Sequence, residues 1–547
     1  MTMKYSRCRV CRWLGINNLV ARASTHNKRG TTGEFALKLF KYKTFCDIIS
    51  IFPDIAPFQM SLIDLPDSVG SEVLRNLPSR KIAMFMLVST KVQVYATWAT
   101  NSLLLENFMV KKEGEKTRDV LFAMHLEDKR QLPPSAKTQV YSCGRNAERQ
   151  LGWWDDEVDD DQEEYGKQAW PSKVILEKTN VRQIACGAMH TILLGDDGCA
   201  FSFGQGIFGQ LGIVKQSEDG IIRPSSILAK PTKVDALQEH KITYVSAGAA
   251  HTVFVDKTGS VYTCGKGTAG QLGYEPDALY TVGGVVIHKI QEVPLRVEGD
   301  LLGKRVVQAE AGQFHSVALT SNGDVFTWGK APDINGRSNS MDICHYIPRR
   351  VRGFQEHFAT CVAAGSNHTV IVTAEGKLYT SFHCTIDTSL VRKPAYLCRN
   401  LHCKVEEDAI AVNLKQEKDT IAHEATDLCG KVEHVSAGHL STLVVTKTNI
   451  LIQFKDTSKS MYAPRCSVTS TSCGHSHAAL VSGKVLTWGV GTSGELGHGV
   501  IRRPPQHNLP DPRPVNSLPE RAMVLDVACG FRHTAFLVRD DKNGRLT

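Results

Sequence analysis

Seven times between residues 187 and 533 the chain returns to one short pattern. An apolar residue is followed, after a spacer, by Ala or Ser, by Cys or Ala, and then by Gly-x-x-His and an apolar run. Six copies keep the histidine: Gly187–His190, Gly248–His251, Gly312–His315, Gly365–His368, Gly474–His477 and Gly530–His533. Gly438 begins a seventh copy in which Ser441 stands in place of histidine. Successive glycines lie 36 to 73 residues apart, so insertions vary while the unit persists. A recurrence of this length marks supersecondary units that bury their apolar faces against one another. It also explains how 547 residues, too many for one ordinary core, fit largely into one body.

A second half-motif alternates with the first. It is a β-type run followed by Gly-x4-Gly-Gln/Glu-Leu-Gly, clear at Ala200–Gly212, Val261–Gly273 and Val485–Gly497. Val140–Gly152 carries Arg149 where the others have glycine, and Val325–Gly336 keeps Trp328-Gly329 but not the Gln-Leu-Gly end. Near Tyr379 and Leu451 only the strand remains. Tyr244–Gly273 is the best-preserved unit: two β runs separated by a turn at Asp256-Lys-Thr-Gly259.

These motifs are similar to those of the regulator of chromosome condensation repeat family, over about Thr138–Val538. The resemblance implies a mainly β chain folded as a seven-bladed β-propeller of four-stranded antiparallel blades. The array opens with the second half-motif and ends with the first. Its two ends are therefore expected to complete one shared blade, which leaves no open sheet edge on the ring.

Within such a unit, Ala/Cys-Gly suits a strand that passes close to its neighbour. A histidine at fixed offset is expected to satisfy backbone groups inside its blade. Catalytic histidines are singular, and six equivalent ones read as structural. Gly187, His190, Gly248, His251, Gly312, His315, Gly365, His368, Gly438, Gly474, His477, Gly530 and His533 are accordingly assigned to the scaffold. Cys143, Cys186, Cys264, Cys473 and Cys529 each stand beside a glycine, as small buried hydrophobes do in a reducing compartment.

The N-terminal part is different. Residues 1–46 hold ten Lys and Arg, with Glu34 the only carboxylate. Segment 1–59 reads as a basic tail, a mitochondrial targeting segment, or a stretch preceding a true start at Met60. Residues 60–109 read as short helices on a small core: Val69, Val73, Leu74 and Leu77 fall on one helical face, between Pro66 and Pro78. This block resembles an F-box through Leu65-Pro66, Val73-Leu74, Leu77-Pro78, Ile82 and Leu87-Val88-Ser89. It departs from that pattern at Gly70 and at Val92, where tryptophan is common. The resemblance implies that Leu65, Pro66, Val73, Leu74, Leu77, Pro78, Ile82 and Val88 form or support a surface for a Skp-type linker and cullin ligase subunits. Charged, proline-punctuated residues 110–137 read as a linker, and 138–547 as the propeller.

No phosphate-loop, zinc-protease or nucleophile-elbow motif occurs, and the histidines lack metal-ligand spacing. The expectation is a protein that is not an enzyme, with no cofactor and no metal. No run approaches the length of an apolar membrane span. A net charge of +8 permits a nucleic-acid partner without requiring one. Three functions follow: substrate-recognition subunit of a cullin-type (SCF) ubiquitin ligase; exchange factor or chromatin-associated propeller acting on a small GTPase; and mitochondrial propeller in RNA or ribosome biology. The first two place the chain in cytoplasm or nucleus. Recognition is expected in the insertions: acidic Asp155–Glu164, residues 383–430, and the Pro/Arg-rich 501–519, read as an exposed connector.

Overall fold

A computed structural model describes residues 119–120, 122–124, 126 and 137–540, apart from 154–165, 177–178, 217–221, 276–277, 283–284, 332–342, 352–356, 367, 383–421, 426–430, 440, 456–457, 502–506 and 520–521. Segment 1–59, the F-box-like block 60–109, the acidic insertion and most of 383–430 lie outside the described residues.

The repeat unit forms a blade. In the blade of residues 181–233 the strands Val181–Cys186, His190–Gly195, Ala200–Gln205 and Ile227–Lys233 pair in that order, all antiparallel. Six such sheets follow the chain, and we number them blades 2 to 7. Blade 3 carries a fifth strand, Ala278–Val282, outside its fourth, Val285–Arg296. The first strands of successive blades pack against one another in a closed ring and so line the axis. The ring is a seven-bladed β-propeller, as the repeats imply.

Blade 1 joins the two ends of the array. Ala522–Cys529 and His533–Asp540 supply its inner strands; Thr138–Arg145 and Lys167–Val174 supply the outer pair. The joint is a register running from Thr138↔Arg539 to Gly144↔His533.

The second strand of each blade follows the repeat histidine and lies between neighbouring blades, apolar on both faces. His190–Gly195, His251–Asp256, His315–Thr320 and His368–Thr373 are buried along their whole length. The core is accordingly divided into clusters between blades; one gathers Ile192, Leu194, Val245 and Phe254 from blades 2 and 3. The turn at Asp256–Gly259 forms as its residues demand. Asp256 Oδ1 accepts from the Thr258 and Ser260 amides, and Gly259 has φ 78°.

Two stretches differ from the sequence reading. Within 110–137 the described residues between 119 and 126 are helical, with Val120, Ala123 and Met124 buried. Phe122 there meets Phe358 edge-on at 5.0 Å. Within 501–519, read as a connector, Asn508–Pro514 is the outer strand of blade 7 and buries Leu509. Proline is tolerated in an edge strand, where its missing N–H faces away from the sheet.

Candidate functional site

The repeat glycines meet at the axis. In each Gly-x-x-His loop the glycine amide donates to the carbonyl of the residue at the histidine position, at 2.8–2.9 Å. The residue after the glycine donates to the next blade's glycine carbonyl. The series runs Ala188→Gly248, Ala249→Gly312, Gln313→Gly365, Ser366→Gly438, His439→Gly474, His475→Gly530 and Phe531→Gly187, at 3.0–3.3 Å. Seven amides thus close a circle. A Cβ on any of the seven glycines would lie 2.4–2.6 Å from the next glycine's carbonyl oxygen. Glycine is required here by close approach, not by an unusual φ.

The histidines form a second circle outside the first. Each Nε2 meets the hydroxyl that follows the next blade's histidine position: His190–Thr252 3.0 Å, His251–Ser316 2.9 Å, His315–Thr369 3.0 Å, His368–Thr442 2.9 Å, His477–Thr534 2.8 Å and His533–Thr191 3.1 Å. The sequence reading placed the histidine's partner in the backbone of its own blade; it is a side chain of the next. The hydroxyls of Thr191, Thr252, Ser316 and Thr534 donate in turn to the carbonyls of Gln150, Gln210, Gln271 and Glu495 in the exit motif. A hydroxyl has one proton, so His533, His190, His251 and His477 must donate through Nε2–H. Their Nδ1 atoms are buried acceptors without a hydrogen-bond partner. Burial pushes His190, His251 and His533 down to about 3, and His368 and His477 to about 4, so all five are neutral. They clamp blades together.

One seam lacks the clamp. Ser441 replaces the histidine of blade 6, and Ala478 replaces the hydroxyl of blade 7 that would have received it. Both partners are missing from a single pair, while Thr442 still receives His368 and His477 still reaches Thr534. Ser441 Oγ turns instead toward Cys473 Sγ at 3.7 Å. Ser441→His combined with Ala478→Thr is expected to stabilise the fold by about 1 kcal/mol. Either change alone should give no gain, because it buries an unmatched polar group; thermal melting of the three variants measures this. The hydroxyl circle was legible in the sequence as the residue after the histidine position in six of seven copies.

The exit motifs sit in the same seams. Gln150, Gln210 and Gln271 each turn back to accept the amide two residues earlier through Oε1, and Glu495 does so through Oε2 from Ser493. Blade 7 therefore uses a carboxylate where the others use an amide. Burial pushes Glu495 up to about 7. Arg149 holds the conformation of the glycine it replaces, with φ 61°. In the channel below, Asp526 accepts from Ser470 Oγ and the Val527 amide, and burial pushes it up to about 6.

At the channel mouth the circle of loops surrounds an open dish of about 230 Å³. Each blade contributes the residue before its glycine, and all seven are small: Cys186, Ala247, Ala311, Ala364, Ala437, Cys473 and Cys529. The cysteines are free thiols; burial holds Cys529 well above the usual thiol range and Cys186 at about 12. On one side the rim is aromatic across three blades. His439 stacks on His475 at 4.1 Å, His475 meets Phe531 at 3.9 Å, and Arg532 lies over Phe531 at 5.7 Å. Among the described residues no group of three or more His, Cys, Asp or Glu is arranged to hold a metal ion.

Residues 132–381 match the model of the RCC1-like domain, and residues 482–537 that of the Regulator of chromosome condensation (RCC1) repeat. Over the matched residues the propeller is RCC1-like. The chain is 27% identical over 388 residues to the Ultraviolet-B receptor UVR8 of Arabidopsis thaliana, covering 66% of this chain and 74% of that protein. It is 27% identical over 394 residues to the mouse Secretion-regulating guanine nucleotide exchange factor, covering 65% and 75%. It spans 16% and 4% of two much longer relatives. The propeller also resembles the crystal structure of Prp20p from Saccharomyces cerevisiae, reported with its binding properties to Gsp1p and histones. That match has TM-score 0.54 and 17% identity, and covers 76% of this chain and 94% of Prp20p. At that identity the likeness is one of fold.

The seven glycines and six histidines assigned from the sequence thus come together around the axis of the propeller. The F-box-like residues Leu65, Pro66, Val73, Leu74, Leu77, Pro78, Ile82 and Val88 lie outside the described residues.

Proposed function

We propose that this chain is a non-catalytic interaction scaffold whose propeller captures a protein partner. The observation that supports it is the allocation of the repeat side chains. Histidines and hydroxyls that elsewhere do acid–base chemistry are spent on seams between blades, and what remains on the axial face is a rim of aromatic and cationic groups around an apolar dish. Such a surface is suited to binding a protein partner.

In the fuller reading, residues 60–109 dock a Skp-type linker, so that a cullin ligase carries out ubiquitin transfer on the captured protein. The chain then contributes positioning and effective concentration. The support is the spacing Leu65-Pro66 to Leu77-Pro78 and Val88. Full-length protein is expected to co-purify with the linker subunit, and Leu65→Ala with Pro66→Ala to lose it. Absence of binding, or binding indifferent to the double change, rejects the ligase role.

A second reading is nucleotide exchange on a small GTPase, favoured by the name of the mouse relative. It requires that full-length chain accelerate release of a fluorescent guanine nucleotide from the GTPase, and an unchanged release rate rejects it. A C-terminal fluorescent tag distinguishes cytoplasm and nucleus from mitochondrion; matrix localisation removes the ligase reading and favours a propeller acting in RNA or ribosome biology.

A further inference from the structure

The apolar dish at the axis and the charge around it belong to one surface. Third strands end beside the Gly-x-x-His loops: the amides of Arg145, Gln205, Lys266, Lys330 and Val490 donate to the carbonyls of Arg532, Met189, Ala250, Phe314 and Ser476. These five positions, from blades 7, 1, 2, 3 and 4, therefore form an arc around the mouth, and three of them are cations. Arg532, exposed on the loop itself, adds a fourth. Among the described residues of the seven loops and these five positions there is no carboxylate.

We infer that the axial dish is a docking pocket for one large apolar side chain presented by an acidic protein segment. This deepens the scaffold reading above and rests on it. The floor explains the apolar anchor. Seven residues that are all alanine or cysteine keep the axis open, and about 230 Å³ accommodates an aromatic or branched side chain. His475 and Phe531 provide a wall on one side. The rim explains the acidic flanks: Arg145, Lys266, Lys330 and Arg532 stand on or beside the loops that bound the dish, and no described loop residue is a carboxylate. Burial lowers the pKa of Lys266, and a partner carboxylate beside it would reverse that.

A nucleic-acid strand would present the same charge but needs open aromatic faces for its bases. Here one face of each ring is already taken by a neighbour: Lys266 lies over Phe208 at 5.2 Å, Lys330 over Phe314 at 5.8 Å, and Arg532 over Phe531 at 5.7 Å. The surface fits an acidic peptide better than a stack of bases.

The test uses full-length chain and a short fluorescein-labelled peptide holding one tryptophan between runs of aspartate and glutamate. Saturable binding is expected by fluorescence anisotropy, weakened about tenfold or more when the peptide's tryptophan is replaced by alanine. Ala437→Leu and Ala364→Leu, which fill the dish, should weaken it to the same extent, and Arg532→Glu should weaken it and flatten its salt dependence. Melting curves establish that each variant is folded; if a leucine variant is not, exposed Arg532 and the alanine peptide still decide. The inference fails if the alanine peptide binds as well, or if the folded variants bind like the wild type. It fails also if a single-stranded oligonucleotide, in place of the peptide, is the probe whose binding responds to Ala437→Leu. No peptide binding by a chain that still binds the linker subunit retires the pocket and leaves the scaffold reading standing.

Discussion

Lowering the pH from 7.5 to 5.5 is expected to remove about 4 kcal/mol from the stability of this propeller. Its five buried histidines with depressed pKa are the cause: His190, His251 and His533 titrate at about 3 in the fold, His368 and His477 at about 4. A folded pKa below the unfolded value of about 6.5 means full stability above that value and loss as the pH falls. Each histidine then contributes about 1.4 kcal/mol of destabilisation at pH 5.5, or about 7 together. Two carboxylates act oppositely. Glu495 and Asp526, raised to about 7 and about 6, destabilise the fold when ionised and recover about 3 kcal/mol over the same range. The histidines win. Chemical denaturation at the two pH values measures the difference, and equal or greater stability at pH 5.5 contradicts it. Glu495→Gln isolates one carboxyl group: the variant should be about 3 kcal/mol more stable at pH 8, with no gain at pH 4.

The second large effect is steric. Gly530→Ala is expected to cost more than about 4 kcal/mol and to lower soluble yield sharply. The added methyl would lie 2.5 Å from the Gly187 carbonyl oxygen and 2.2 Å from the His533 ring. The backbone must then open between blades 1 and 2, beside the blade that joins the two ends of the array. Gly166→Ala is the control, because its methyl meets nothing nearer than 3.5 Å. It should change stability by less than about 0.5 kcal/mol. A Gly530→Ala variant that melts like Gly166→Ala would show that the amide circle is dispensable.

The two predictions separate what could be read early from what could not. Seven copies of a glycine motif, with the array opening in mid-unit, were enough to infer seven blades and a shared closing blade. That inference depends only on local patterns and their order, and local patterns are written in consecutive residues. The assignment of histidine to the scaffold followed from equivalence: six identical positions do not share one catalytic task.

Partnership across blades was beyond the same reasoning. His190 meets Thr252 and His477 meets Thr534 because ring closure brings residues some 60 positions apart into contact. Nothing in either segment names its neighbour. The joint absence at Ser441 and Ala478 becomes intelligible only once those two positions face each other. Asn508–Pro514 was likewise misread, since its prolines signal a connector until the third strand of blade 7 supplies the edge it pairs with.

The repeated Gly-x-x-His with which the chain announces itself determined, by sequence alone, the kind of unit, its number and the route by which the ring closes. Tertiary structure decided the rest: that the seven glycines pack carbonyl to amide at one axis, that each histidine serves the following blade, and that the small residues before the glycines surround an open dish. The physical reason is distance. Turns and strands arise from contacts among neighbours along the chain, whereas the clamps, the carboxylate at Glu495 and the axial mouth exist only when the first and last strands have met.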